Sequence, residues 1–246
     1  MNIKDTKILQ DWGFVRALAS RFEHEGNEGE WIFFSRKKEQ TPEAKAKPDA
    51  IVIVPFVRLR PDGRTHMLIT KEFRVPLADY EYGFPAGLVE PGQTYEETAR
   101  RELKEETGFK VTKVLFTSPP IYSSAGATDE SVALVFVLAE PDGEPNREEH
   151  EDISNILLDM TQTSLLLDLA ATHGLKIGAK AYPILLLSML CTPESIEGLL
   201  DMYGEGRLRL SPQDAERFLD MLVNPPEPNE ALRTAARRHA EEIDSD

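Results

Sequence analysis

The stretch Gly87-Leu-Val-Glu-Pro-Gly-Gln-Thr-Tyr-Glu-Glu-Thr-Ala-Arg-Arg-Glu-Leu-Lys-Glu-Glu-Thr-Gly108 reads as a glycine turn, a capped helix and a glycine stop. Thr94 followed three residues later by Glu97 has capping-box spacing. Ala99 and Leu103 give an apolar stripe, and Gly108 suits the left-handed residue that ends a helix. Glu102, Glu105 and Glu106 are spaced i, i+3, i+4 and project from one face. Like charges at that spacing destabilise a helix unless a cation sits among them. Hard divalent metals prefer carboxylate oxygen, so this face is a candidate metal site. A solvated acidic face is the bland alternative. Arg100 and Arg101 place cations beside the carboxylates, and the bends at Pro85-Ala86-Gly87 and Pro91-Gly92 can aim a backbone carbonyl at the same ion.

The segment resembles the Nudix box, Gly-x5-Glu-x7-Arg-Glu-U-x-Glu-Glu-x-Gly-U, where U is bulky and aliphatic. Gly87, Arg101, Glu102, Leu103, Glu105, Glu106 and Gly108 match it. Phe109 replaces the last aliphatic residue, and Gln93 replaces the first Glu, which keeps hydrogen bonding and removes a charge. The flanks, over about residues 10–192, resemble ADP-ribose pyrophosphatases and related nucleoside-diphosphate-sugar hydrolases. Lys71-Glu-Phe-Arg74 looks like that branch's Gln-Tyr-Arg strand end, and Tyr122-Ser-Ser-Ala-Gly-Ala-Thr-Asp-Glu130 resembles its Ser-Pro-Gly-x-Ser/Thr-x-Glu loop. Ala125 stands at that loop's proline.

The resemblance implies an α/β/α sandwich with a mixed sheet, and metal-dependent hydrolysis of a nucleoside diphosphate sugar. Mg2+, or Mn2+, would be held by Glu102, Glu105 and Glu106 with the Ala86 carbonyl. Glu106, Arg101 and a base in the acidic loop would carry the chemistry. The alignment picks Glu151 as that base, with Glu149 as fallback and His150 as an outside candidate. Arg74 would contact the diphosphate, whose bidentate geometry suits guanidinium. Trp31, with Phe14 second, would stack the nucleobase, and Glu130 would lie near the site. Core or interface packing is the alternative for both aromatics. In the family the N-terminal layer is exchanged between subunits, which implies a homodimer. A Nudix-fold nucleotide-sugar sensor with weak or lost catalysis is the rival reading, favoured by Gln93 and Ala125 and opposed by the retained carboxylates.

The chain has 246 residues and a formal net charge of −15. That charge argues against general nucleic-acid or anionic-membrane binding. Cys191 is the single cysteine, so an internal disulfide and a cysteine-based zinc site are excluded. The first residues show no apolar signal region, and no apolar run reaches the ~18 residues a bilayer needs, so a cytoplasmic location is expected.

Trp12 to Phe22 and Gly29 to Arg36 read as two strands around a polar turn, and Gln40 to Pro48 as a linker. Ala50 to Leu59 reads as a buried strand, and His66 to Phe73 returns after a Pro61-Asp-Gly63 turn. Tyr80 to Phe84 leads into the glycine loop. Further strands are predicted at Val111 to Thr117, Ser131 to Ala139 and Ile153 to Leu158, with helices at Gln162 to His173 and Tyr182 to Cys191. The expected organisation is an antiparallel β layer over 1–45, a hydrolase domain over 46–192 and a helical extension over 193–246. In that extension Ser211-Pro-Gln-Asp suits a helix start, Phe218, Leu219 and Leu222 form an apolar stripe, and Glu230 to Glu242 reads as a final helix. The stretch from Leu210 through Asn224-Pro-Pro-Glu-Pro-Asn-Glu-Ala-Leu-Arg233 resembles the toxin-binding tail of ribbon-helix-helix antitoxins that neutralise acetyltransferase toxins, without their DNA-binding part. It reads either as a helix packing on its own domain or dimer mate, or as a tail that docks a protein partner.

Overall fold

The computed structural model describes residues 1–59, 64–147 and 149–189, together with Ser211, Gln213, Asp214, Glu216, Arg217 and Asp220. The predicted Pro61 turn, Cys191 and the final helix lie outside the described residues. The chain divides into two compact units, Met1–Gly204 and Glu205–Asp246.

The first unit opens with a three-stranded antiparallel sheet of β1 (Asn2–Asp11), β2 (Arg16–His24) and β3 (Asn27–Ser35). The sequence predicts two strands here; β1 is the addition. Its side chains are nearly all exposed, so no buried face imprints an alternation on the sequence. β2 and β3 join through a two-residue turn at Glu25 and Gly26, tighter than the expected Glu23–Gly29 loop. Within the predicted linker sits a single helical turn, α1 (Pro42–Lys45), whose cap Thr41 accepts from the Ala44 N–H at 3.2 Å.

A nine-stranded mixed sheet follows, as expected. Its elements in chain order are β4 (Ala50–Arg58), β5 (Thr65–Arg74), β6 (Asp79–Gly83), β7 (Ala86–Leu88), α2 (Tyr95–Thr107), β8 (Phe109–Thr117), β9 (Ile121–Tyr122), β10 (Ser131–Pro141), β11 (Ile153–Asp159), α3 (Thr163–His173), β12 (Lys176–Ile177) and α4 (Ala181–Ser188). The main path runs β12-β6-β5-β4-β10-β8, with β11 on β5, β7 on β4 and β9 on β10. β4 runs parallel to β10 and antiparallel to β5.

β4 is apolar along its length because both of its faces are covered. Ile51, Ile53 and Val57 face the core beneath α2, where Ala99 and Leu103 are fully buried. Val52, Val54 and Phe56 face the opposite core, which α3 and α4 close with Leu166, Leu167, Ala181 and Leu185. β10 divides its side chains the same way, Ala133, Val135 and Val137 against Val132, Leu134 and Phe136. The result is the expected α/β/α sandwich. In the second unit, Ser211 accepts from the Asp214 N–H at 3.1 Å, the capping arrangement read from the sequence.

Candidate active site

α2 begins with a complete capping box. The Thr94 N–H donates to Glu97 Oε2 at 2.8 Å, and the Glu97 N–H donates to Thr94 Oγ1 at 3.2 Å. It ends at Gly108 with φ 76°, where an added Cβ would lie 2.3 Å from the Gly143 carbonyl oxygen. The helix is therefore fixed at both ends before its acidic face is considered.

β7 supplies the wall opposite that face. Ile53 N–H donates to the Pro85 oxygen at 2.8 Å and Val89 N–H to the Asp49 oxygen at 3.1 Å. Alternate residues of an antiparallel ladder face the partner strand, so the main-chain groups of Ala86 and Leu88 face away from β4. The Ala86 N–H meets the Glu106 carboxylate. The Leu88 oxygen accepts from Arg101 Nη2 at 3.4 Å. The Ala86 carbonyl shares the side on which its own N–H meets Glu106. Between them, Gly87 leaves room for Glu102: an added Cβ would fall 1.9 Å from the Glu102 carboxyl carbon.

Arg101 sits among the carboxylates. Its Nη2 lies 2.8 Å from Glu102 Oε1 and its Nη1 3.0 Å from Glu105 Oε2. This cation relieves the repulsion that the glutamate spacing imposes on the helix. Arg101 thus holds two of the carboxylates while itself lining the cleft. Glu106 is 7% exposed. Burial, then the charges of Glu102, Glu72 and Glu151, push its carboxyl up to about 8, against the lowering bond from Ala86. Burial also raises Glu102, against Arg101 and with help from Glu105 and Glu151. Glu72 is raised by burial against the pull of Arg74, with Glu81 and Glu151 adding to the rise.

The C-terminus of α2 anchors the acidic loop. Its late carbonyls would otherwise be orphaned. Asn146 N–H donates to the Glu105 oxygen at 2.8 Å, Arg147 Nε to the Glu106 oxygen at 2.7 Å, and Asn155 Nδ2 to the Thr107 oxygen at 2.9 Å. Arg147 also complements the negative end of the helix dipole. Beyond Glu151, Asp152 is pinned by Phe73 N–H to its oxygen at 3.1 Å and by the Tyr80 hydroxyl to its carboxylate at 2.6 Å.

These elements enclose a cleft of about 650 Å³ lined by Glu72, Arg74, Ala86, Gly87, Arg101, Glu102, Glu105, Glu106, Arg147 and Glu151 among others. The expected residues Arg74, Ala86, Arg101, Glu102, Glu105, Glu106 and Glu151 thus meet around one cavity. Glu149 and His150 do not line it. Neither do Trp31, Phe14 or Glu130. Trp31 is 53% exposed on β3 and donates its indole N–H to the Gly126 oxygen at 3.1 Å. Glu130 accepts from Arg36 Nε at 2.8 Å and ties its loop to the N-terminal sheet. Phe14 lines a second cleft of about 950 Å³, which shares Leu88 and Glu90 with the first. Gln93 precedes the cap at the far end of α2, donating to Glu90 Oε2 at 2.9 Å and accepting from Thr98 Oγ1 at 3.1 Å.

Glu72, Arg147 and Asn155 are the residues that sequence reasoning missed. Glu72 had a signal: two residues before Arg74 on a strand, it shares that arginine's face. Among the described residues, no group of three His, Cys, Asp or Glu side chains converges tightly enough to hold a metal ion. Arg101 engages Glu102 and Glu105, and the Ala86 N–H engages Glu106. The donor set itself fits a hard divalent cation, since the buried Glu106, the partly exposed Glu102 and Glu105, and one outward-facing carbonyl all offer oxygen ligands.

The NUDIX domain profile matches residues 49–175, just over half of the chain. The chain belongs to the NUDIX domain family. Among its relatives, the putative nudix hydrolase 2 of Caenorhabditis elegans is 34% identical over 124 residues, covering 50% of this chain and 53% of that protein. The ADP-sugar pyrophosphatase of Mus musculus is 28% identical over 177 residues, 63% of this chain and 80% of that one. The ADP-ribose pyrophosphatase of Saccharomyces cerevisiae is 32% identical over 112 residues, 46% of each. The chain thus spans about half the length of several curated relatives that it matches. A crystal structure of an ADP compounds hydrolase superposes with a TM-score of 0.53 at 21% identity, over 68% of this chain and 82% of that one. That likeness shows the NUDIX fold. Residues 202–241 match a second profile, Antitoxin TacA 1-like. No helix among the described residues is long and apolar enough to cross a membrane.

Proposed function

We propose that this NUDIX protein hydrolyses the diphosphate bond of ADP-ribose or a related nucleoside diphosphate sugar, giving a nucleoside monophosphate and a sugar phosphate. The observation that carries the reading is the meeting of Glu102, Glu106 and Glu151 with Arg74 in one cleft. Mg2+, or Mn2+, would be held by Glu102, Glu105 and Glu106 with the Ala86 carbonyl. When bound, the ion neutralises diphosphate charge and acidifies a water. Glu151 takes the proton of the attacking water. Arg74 orients the diphosphate through its planar donor fork. Arg101 holds Glu102 and Glu105 in place. Trp31 and Phe14 stack the nucleobase, with the N-terminal sheet of a second subunit completing the site in a homodimer. The enzyme works in the cytoplasm. The segment over 193–246 packs on its own domain or dimer mate, or docks a protein partner; the antitoxin-like match supports the second reading.

The test is product formation from ADP-ribose, NADH, UDP-glucose and GDP-mannose, with and without Mg2+. Metal-dependent release of a monophosphate is expected for at least one of them. Glu106→Gln should remove most turnover while folding is preserved. Near-normal activity in that variant would sink the assignment, and no turnover on any substrate would favour a nucleotide-sugar sensor.

A further inference from the structure

Arg74 is gripped from two sides. Its Nη1 lies 2.7 Å from Glu72 Oε1, and its Nε donates to Glu81 Oε2 at 3.2 Å. Glu72 and Glu81 stand directly opposite each other across β5 and β6. Like charges at opposed positions of an antiparallel pair cost stability. Both are also partly withdrawn from water, with side chains 27% and 28% exposed. Arg74 is the cation that makes the pair tolerable. Gly178 lies close behind Glu81, where an added Cβ would stand 3.2 Å from Oε1. The Gly178 N–H is in turn bonded to the Tyr82 oxygen at 2.9 Å.

The three residues line a small cavity of about 100 Å³ beside the acidic cleft. Glu72 and Arg74 line both cavities, whereas Glu81 lines only the small one. Arg74 therefore stands at their junction. Glu72 faces the metal-site carboxylates as well as Arg74. Glu81 touches the arginine from the side away from them.

We propose that Glu81 is a positioning residue: with Glu72 it clamps the Arg74 guanidinium at the cleft junction, so that the remaining donors meet the substrate diphosphate in a fixed orientation. A long arginine side chain loses rotamer freedom when it binds, and a preset geometry reduces that cost. The identity of the substrate rests on the hydrolase reading, whereas the clamp does not. Because Glu81 lies off the acidic cleft, its removal weakens substrate capture and leaves metal dependence alone.

The experiment compares wild type, E81Q, R74A and the double variant on ADP-ribose across a Mg2+ series. Arginine-selective 15N spectra of the substrate-free proteins accompany the kinetics. E81Q is expected to raise KM about tenfold, the scale of one charge-assisted hydrogen bond, with kcat and the Mg2+ midpoint little changed. E81Q added to R74A should cost nothing more. In the spectra, the Arg74 Nε–H signal, identified by its loss in R74A, should shift and exchange faster with water in E81Q. E81D, which keeps the charge on a shorter stem, should recover part of both effects and serves if E81Q folds poorly. An unchanged Arg74 signal, or a full E81Q penalty on top of R74A, would overturn the clamp. If wild type turns over neither ADP-ribose nor NADH, UDP-glucose or GDP-mannose, the hydrolase reading fails and the spectra alone decide the clamp; if it turns over another of these, the kinetics are run on that substrate.

Discussion

Glu106 carries the heaviest electrostatic load in the cleft. Its carboxyl is pushed up to about 8 from an ordinary 4.5, so the folded chain holds that proton more tightly than the unfolded chain does. In metal-free protein this contribution is fully present below about pH 4.5 and is lost as pH rises through about 8. Thermal unfolding in chelator should therefore show a loss of a few kcal/mol between about pH 5 and pH 9 from this group alone. Glu106→Gln should flatten that loss, and identical pH profiles in the two proteins would refute it. Added Mg2+ should restore stability at the alkaline end in wild type and not in the variant. Gly87 gives a second residue-scale prediction. A methyl group there collides with the Glu102 carboxyl, so Gly87→Ala should displace a proposed ligand by about an ångström. Turnover should fall on the order of a hundredfold with the circular dichroism unchanged. Activity within twofold of wild type would show that Glu102 has room to move.

At the scale of the element, α2 is both a structural strut and the carrier of the site. Its own Leu103 is fully buried against the sheet, and Leu103→Ala should cost about 2–5 kcal/mol in denaturant unfolding. Arg147 joins α2 to the loop that brings Glu151 into the cleft, so Arg147→Ala should lower kcat with little change in KM or in the unfolding midpoint. An altered KM with intact kcat would argue that the loop serves substrate binding instead. α2 was legible in the sequence because its signals are local: Thr94 and Glu97 three residues apart, an apolar stripe and a terminal glycine. β7, β9 and β12 were not, since two or three residues are too few to show a period. Arg147 and Asn155 were invisible for another reason. Their partners are main-chain oxygens 41 and 48 residues away, and no side-chain pattern encodes a main-chain acceptor.

At the scale of the whole molecule, the three-stranded sheet leaves Trp31, Ile32 and Phe34 about half exposed, at 53%, 58% and 49%. Ile32 and Phe34 share one face of β3 and Trp31 stands on the other, and exposed apolar side chains of this size mark an interaction surface more often than bare solvent. Light scattering should give twice the chain mass, and Ile32→Glu should yield monomers with weakened substrate binding. A monomeric wild type would remove the partner's part in the site. The sandwich was readable from β4 and β10, whose unbroken apolar runs require cover on both faces. The nucleobase side was not, because Trp31 and Phe14 reach no lining position of the acidic cleft within one chain. The acidic loop has its own consequence. Arg147 fastens it to a helix and Asp152 fastens it to the sheet, with four residues between them, one of which is Glu151. A residue of extended chain spans roughly 3.3 Å, more than a proton-transfer contact can absorb. The span is a ruler between two fixed posts: its composition is open to drift, whereas its length is not.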